Sequence, residues 1–146
     1  MSRALLAGAV LCLLAACAGH RPYASDHPRN LTLQTRVDSG TRAAVDVYRV
    51  DAKCRPSLEG RVRLDEPRVE VGLPAGQPSL MVFEFASSRF LGSRRSSITK
   101  DVLFTPRAGR RYEARVDYRD DLYNVELREI DPRSGASREV DPRSRC

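Results

Sequence analysis

Three features of the 146-residue chain predict an all-β sandwich. From Asn30 onward, apolar and polar residues alternate with a period of two in short segments, as half-buried strands require. Asp, Gly and Pro interrupt those segments at regular intervals. Outside the N-terminal apolar run, no stretch carries a helical period. About eight short strands over residues 30–146 fit one domain with a single modest core.

In the first segment Leu31, Leu33 and Val37 share a face, and Asp38-Ser39-Gly40 turns the chain. Ala43, Val45 and Val47 then face one way, with Tyr48 and Val50 on the other side, before a loop from Asp51 to Pro56. Leu58, Gly60, Val62 and Leu64 alternate with Glu59, Arg61, Arg63 and Asp65, which predicts an inner apolar face and an ionic outer one. Val69, Val71 and Leu73 repeat the pattern. Leu80 to Ala86 is apolar on both faces, with Met81, Phe83 and Phe85 on one, and is expected to be the most buried strand.

Residues 87–97 are polar and read as a loop carrying Arg89, Phe90, Leu91, Arg94 and Arg95. Ile98 to Thr105 follows as a strand, and Pro106-Arg107-Ala108-Gly109 as a turn. Tyr112, Ala114, Val116 and Tyr118 alternate with Glu113, Arg115 and Asp117. After Arg119-Asp120-Asp121, the side chains of Tyr123, Val125 and Leu127 are expected to point inward, with Leu122 and Ile130 at the ends of the other face. A short last strand is centred on Val140. Asp131-Pro132-Arg133-Ser134 recurs as Asp141-Pro142-Arg143-Ser144, and both copies suit turns in which Asp caps nearby backbone.

Leu73-Pro74-Ala75-Gly76 before one strand and Ala108-Gly109-Arg110-Arg111-Tyr112 at the start of another resemble the small PEGA-like or transthyretin-like domains of bacterial envelope lipoproteins. The likeness rests on turn residues and carries no catalytic groups. It implies an Ig-like sandwich acting as an accessory or binding module.

Met1-Ser2-Arg3 precedes an apolar run from Ala4 to Leu14, too short for a bilayer span and laid out as a secretory signal. Its end, Leu14-Ala15-Ala16-Cys17, resembles the bacterial lipobox. The resemblance implies cleavage between Ala16 and Cys17, with diacylglyceryl and N-acyl chains on Cys17. Two or more chains hold a protein firmly to a membrane, where one binds only marginally. The organisation expected is therefore a signal peptide over 1–16, a lipidated cysteine and flexible tether over 17–29, and the sandwich over 30–146. Gly19, Pro22, Ser25, Asp26 and Pro28 give the tether its composition, and twelve such residues reach about 20 Å. Ala18 after the lipidated cysteine, in place of the Asp that favours inner-membrane retention in enteric members, points toward the outer membrane.

Cys12 leaves with the signal and Cys17 is consumed by lipid, so Cys54 and Cys146 remain in a disulfide-permissive compartment. A bridge between them would contribute roughly 4 to 5 kcal/mol in the chain-entropy model. A metal pair or a reactive thiol is the alternative, though no histidine lies near either in sequence.

The formal charge is +6 and falls to +5 once Arg3 departs; 23 of the 25 basic residues are arginine. Arginine suits bidentate contact with carboxylate or phosphate, and after export the anions at hand are headgroups and envelope polymers. An arginine-rich composition from a GC-rich genome accounts for the same excess. Both histidines, His20 and His27, fall in the tether, which leaves the sandwich without an imidazole base or ligand. Neither a metal site nor a cofactor is expected, and the chain is read as a non-enzyme. Glu84 is the one acid to watch, because it interrupts an apolar strand; pairing with an arginine is its ordinary fate. Asp120-Asp121 lacks the spaced oxygen ligands of a calcium loop and reads as a turn. Asn30-Leu31-Thr32 fits a glycosylation acceptor by pattern alone, a reading the lipobox removes.

Arg89, Arg94 and Arg95 precede one strand and Arg107, Arg110 and Arg111 follow it, so a strand length of about 25 Å separates the two groups. The loop with Arg89, Phe90, Leu91, Arg94 and Arg95 is the better contact candidate. Taken together, the sequence predicts a lipid-anchored periplasmic module that contacts another envelope protein. Capture of an anionic polymer or headgroup, and a role in assembling a secretion machine, stand beside that reading; nucleic acid is not an expected partner.

Overall fold

A computed structural model describes residues 20–87, 96–120 and 122–141. No helix occurs among the described residues, and nine strands form two sheets packed as a sandwich. They are β1 (Leu31–Val37), β2 (Thr41–Val50), β3 (Pro56–Arg63), β4 (Arg68–Val71), β5 (Ser79–Ser87), β6 (Ser96–Phe104), β7 (Arg111–Arg119), β8 (Leu122–Ile130) and β9 (Ser137–Glu139). One sheet has the order β4-β1-β7-β8-β9 and the other β3-β2-β5-β6. All pairings are antiparallel except β1 with β7, where Leu31 lies opposite Tyr112 and Val37 opposite Tyr118.

The core is built from the inward faces that alternation predicts. Leu31 and Leu33 of β1, Val45 and Val47 of β2, Met81, Phe83 and Phe85 of β5, and Ala114 and Val116 of β7 are all buried. Phe85 stacks on Tyr118 with ring centroids 5.6 Å apart, and Phe104 tilts against Tyr112 at 5.1 Å, joining the sheets. β5 lies between β2 and β6, which is why its inner side chains are shut off from water. Its other apolar set, Leu80, Val82 and Ala86, lies on the half-buried outer face.

One inward assignment is corrected. The β2–β3 register shifts between Val47 and Tyr48, so Gly60 opposes Val47 while Leu58 opposes Tyr48. That extra residue turns Leu58 to the outer face, where it is 46% exposed. Tyr123 keeps the inward parity expected of it, opposing Tyr118 and tilting against Phe85 at 6.1 Å, yet is 43% exposed, because β9 covers β8 only from Arg128 to Ile130 and leaves its start at an open edge. The last strand is shorter than expected and ends before Val140, whose amide still bonds the Leu127 carbonyl.

The expected tether is the largest departure. Its described part, residues 20–29, lies against the body. The Tyr23 amide donates to the Arg61 carbonyl at 2.9 Å, and the Arg61 amide to the Arg21 carbonyl at 2.8 Å, a parallel bridge that extends the edge of β3. The Tyr23 hydroxyl donates to the Gly72 carbonyl at 2.7 Å. The Asn30 side chain then donates to the Leu73 carbonyl and accepts from its amide, as a strand residue would. Two glycines make this approach possible. A Cβ on Gly60 would lie 2.5 Å from the Tyr23 Cα, and one on Gly72 would lie 2.2 Å from the His27 carbonyl oxygen. Residues 20–29 therefore form a strap across the edges of β3 and β4.

Candidate functional site

Beside the strap, a cleft of about 710 Å³ runs from the four-stranded sheet to β4, whose Val69, Glu70 and Val71 also line it. His20, Pro22 and Tyr23 form one wall, and Arg42, Arg61 and Glu84 contribute its charge. Period-two geometry explains the grouping: Asp46 opposes Arg61 across β2–β3, and Glu84 opposes Ala44, one pleat along from Asp46.

Arg61 holds both acids. Its Nε and one Nη bond the two Asp46 carboxylate oxygens at 2.7 Å each, and the same Nη reaches Glu84 Oε2 at 2.7 Å. The hydrogen bonds from Arg61 hold the Asp46 carboxyl below the usual carboxylate range, outweighing partial burial, with a smaller push from the charge of His20. The same two acids raise the Arg61 guanidinium. Glu84, flagged in the sequence as an acid in an apolar strand, is thus paired, half-buried and on the outer face.

A second cluster sits where β7, β8 and β9 meet. Here the acid is the hub. Glu129 is 5% exposed, accepts from the Tyr112 hydroxyl at 2.9 Å, and pairs with Arg107 at 3.2 Å and Arg138 at 3.1 Å. Tyr112 in turn accepts from the Arg107 amide, and burial, first among the causes, raises its hydroxyl above the usual tyrosine value. Arg110 pairs with Asp131 alongside. Backbone amides of the 131–135 turn, Arg133 first, and Arg110 hold the Asp131 carboxyl low. Shallow clefts of about 370 and 300 Å³ flank Glu129.

Neither cluster sets a nucleophile against a base. In each, the acids are bonded to arginines, an arrangement that holds strands together. Among the described residues, no group of three or more His, Cys, Asp or Glu side chains could hold a metal ion. No helix among the described residues is long and apolar enough to cross a membrane.

Several sequence-derived site residues lie outside the described residues: Ala16 and Cys17, the loop residues Arg89, Phe90, Leu91, Arg94 and Arg95, and Cys146. Cys54 is described. It is exposed in the Asp51–Arg55 turn with φ of 60°, and the Asp51 carboxylate caps the amides of Lys53 and Arg55 around it. Arg107 and Arg110 flank Glu129 and Asp131 rather than standing as a free basic group. Asp120 is a turn residue whose amide bonds the Asp38 carboxylate at 3.0 Å.

Sequence reasoning passed over Glu129, Asp46 and the strap. Glu129 could have been found, since it continues the inward parity of Val125 and Leu127. No protein-family model, curated protein or solved structure matches this chain.

Proposed function

We propose that the chain is a bacterial envelope lipoprotein, anchored through acylated Cys17, whose sandwich serves as a non-enzymatic interaction module in the periplasm, most simply at the outer membrane. The observation that carries the reading is the order of the N-terminus: Met1-Ser2-Arg3, an apolar run to Leu14, then Ala15-Ala16-Cys17. An all-β body follows it directly, which fits an exported domain tied to the surface it serves. The two ion clusters support the non-enzymatic half, because their acids are spent on arginines. In this reading Cys54, exposed in its turn, is bridged to Cys146.

Intact mass of protein taken from native membranes tests the proposal, with and without reductant and an alkylating agent, beside Cys17→Ala. The expected result is a chain beginning at Cys17 with acyl mass added, and Cys54 and Cys146 alkylated only after reduction. An unacylated chain that keeps residues 1–16 would overturn the anchor, and free thiols without reductant would overturn the bridge.

A further inference from the structure

The bulge that turns Leu58 outward completes an apolar row across the whole four-stranded sheet. Leu58 opposes Tyr48, Tyr48 opposes Leu80, and Leu80 opposes Leu103, so the four share the outer face. Leu58 is 46% exposed and the other three are half-buried. A row of this kind on an outer face needs a cover, and the strap shows what stands near it.

The strap enters next to the row. It runs parallel to β3, with Pro22 at Arg61, so its earlier residues head back toward Glu59 and Leu58. His20 acts electrostatically on Asp46, which is one pleat along β2 from Tyr48. Cys17 precedes His20 by three residues, which span at most about 11 Å when fully extended. A free tether of twelve residues would let the body stand about 20 Å off and tumble. A docked strap with a three-residue leash cannot. The body must stay against whatever holds Cys17, on the side where the strap begins.

The geometry points to the lipid bilayer as the partner of the row Leu58–Tyr48–Leu80–Leu103, the outer face of this sheet lying on the membrane and the row seated at the headgroup–acyl boundary. This rests on the acylation of Cys17 proposed above. Tyr48 suits that position, since its ring is apolar and its hydroxyl can stay among headgroups. The strap thus acts as an orienting clamp, and the five-stranded sheet, to which β8 belongs, lies on the side away from the lipid.

The chain contains no tryptophan, so a single substitution gives a clean reporter. Acylated full-length protein carrying Leu103→Trp is reconstituted in phosphatidylethanolamine/phosphatidylglycerol vesicles whose acyl chains are brominated near the headgroup; Leu122→Trp, at a site 76% exposed on β8, is the control. The L103W reporter should lose about half of its emission or more, because interfacial apolar faces sit roughly 5–10 Å into that boundary. L122W should stay near its value in unbrominated vesicles. Equal quenching of the two, or none of either in protein whose mass shows acylation, would overturn the inference while leaving the anchor intact. Shielding of L103W by self-association in unbrominated vesicles, without bromine quenching, would also overturn it and assign the row to a second copy. A mass without acyl chains removes the anchor and the inference with it. Tyr48→Trp repeats the measurement should L103W fold poorly, and must give the same ranking against L122W.

Discussion

The two open sides of the sandwich end their sheets in different ways. On one, β3 and β4 are covered by residues 20–29, which pair with Arg61 and reach Gly72, and Asn30 next to them clasps Leu73. On the other, β6 pairs only with β5 among the described residues, and β9 covers just three residues of β8. An edge strand left bare is a template for foreign chains. The first edge meets that hazard with its own backbone. The second meets it with charge: Lys100 opposes Phe83 and so takes an inward-facing position, yet it is exposed at the rim. A lysine there blocks a second sheet from docking flush. One edge is therefore a built contact and the other a guarded gap.

Breaking the built edge should cost most. Gly72→Val sets side-chain atoms where the His27 carbonyl lies, so the strap must leave, taking with it the Tyr23 and Asn30 hydrogen bonds. A loss of about 3 kcal/mol is expected in urea unfolding, combining a forced backbone shift with orphaned polar groups. The same substitution at Gly135, whose added Cβ would meet nothing within 4 Å, probes only the positive φ of 72° and should cost about 1 kcal/mol.

Arg61→Met comes next. It strands two carboxylates whose side chains are 13% and 30% exposed, and a cost of about 2 kcal/mol is expected, below that of a fully buried pair because water still reaches both. Arg138→Met at the guarded side should cost under about 0.5 kcal/mol, since Arg107 and Tyr112 still serve Glu129 and Arg138 is 64% exposed. The pair of values, from denaturant curves, tests whether losing the cation that two acids share costs more than losing one of the two cations on a shared acid.

Titration separates the sides further. The folded pKa of Asp46 is depressed, so its contribution is present above the unfolded value of about 3.9 and is lost as pH falls through the lower folded value. Arg61→Met should flatten that acid limb. At high pH the signs reverse. Tyr23 and Tyr112 are raised, chiefly by burial, so their contribution holds below about pH 10 and is lost as pH rises through the folded values. Tyr23→Phe should remove the alkaline loss at the strap and leave that of Tyr112, reducing two phases in the stability–pH curve to one.

Smaller effects come from single groups. The Thr35 hydroxyl, buried in β1 near the strapped edge, has no hydrogen-bond partner among the described residues, and Thr35→Val should gain about 1 kcal/mol. Lys100→Val should shift stability by less than about 0.5 kcal/mol yet promote concentration-dependent association, seen by sedimentation.

These regions also mark how far residues alone could lead. Strands whose inward and outward residues alternate without interruption, such as Tyr112 to Tyr118, were legible because one face is buried and one is wet. Leu58 was not, because a bulge is a property of two strands and leaves no mark in one. The strap was hidden by its composition: Gly, Pro and Ser describe a free linker and a backbone-paired segment equally well. Its signature lay elsewhere, in Gly60 and Gly72, which interrupt apolar segments at points where a side chain would pack. Glu84 drew notice for its apolar neighbours and proved to be the outer partner of Arg61, while Glu129, among charged neighbours in sequence, is the acid that is buried.

The docked strap is the claim on which the rest turns, and amide hydrogen exchange on the mature protein tests it most directly. The Tyr23 and Arg61 amides bond only to each other's strand, so both should be protected and should exchange together, with Gly72→Val releasing both. Exchange of Tyr23 and Arg61 at the rate of an unstructured chain, beside protected β5 amides, would show residues 20–29 to be a free tether and would contradict the account.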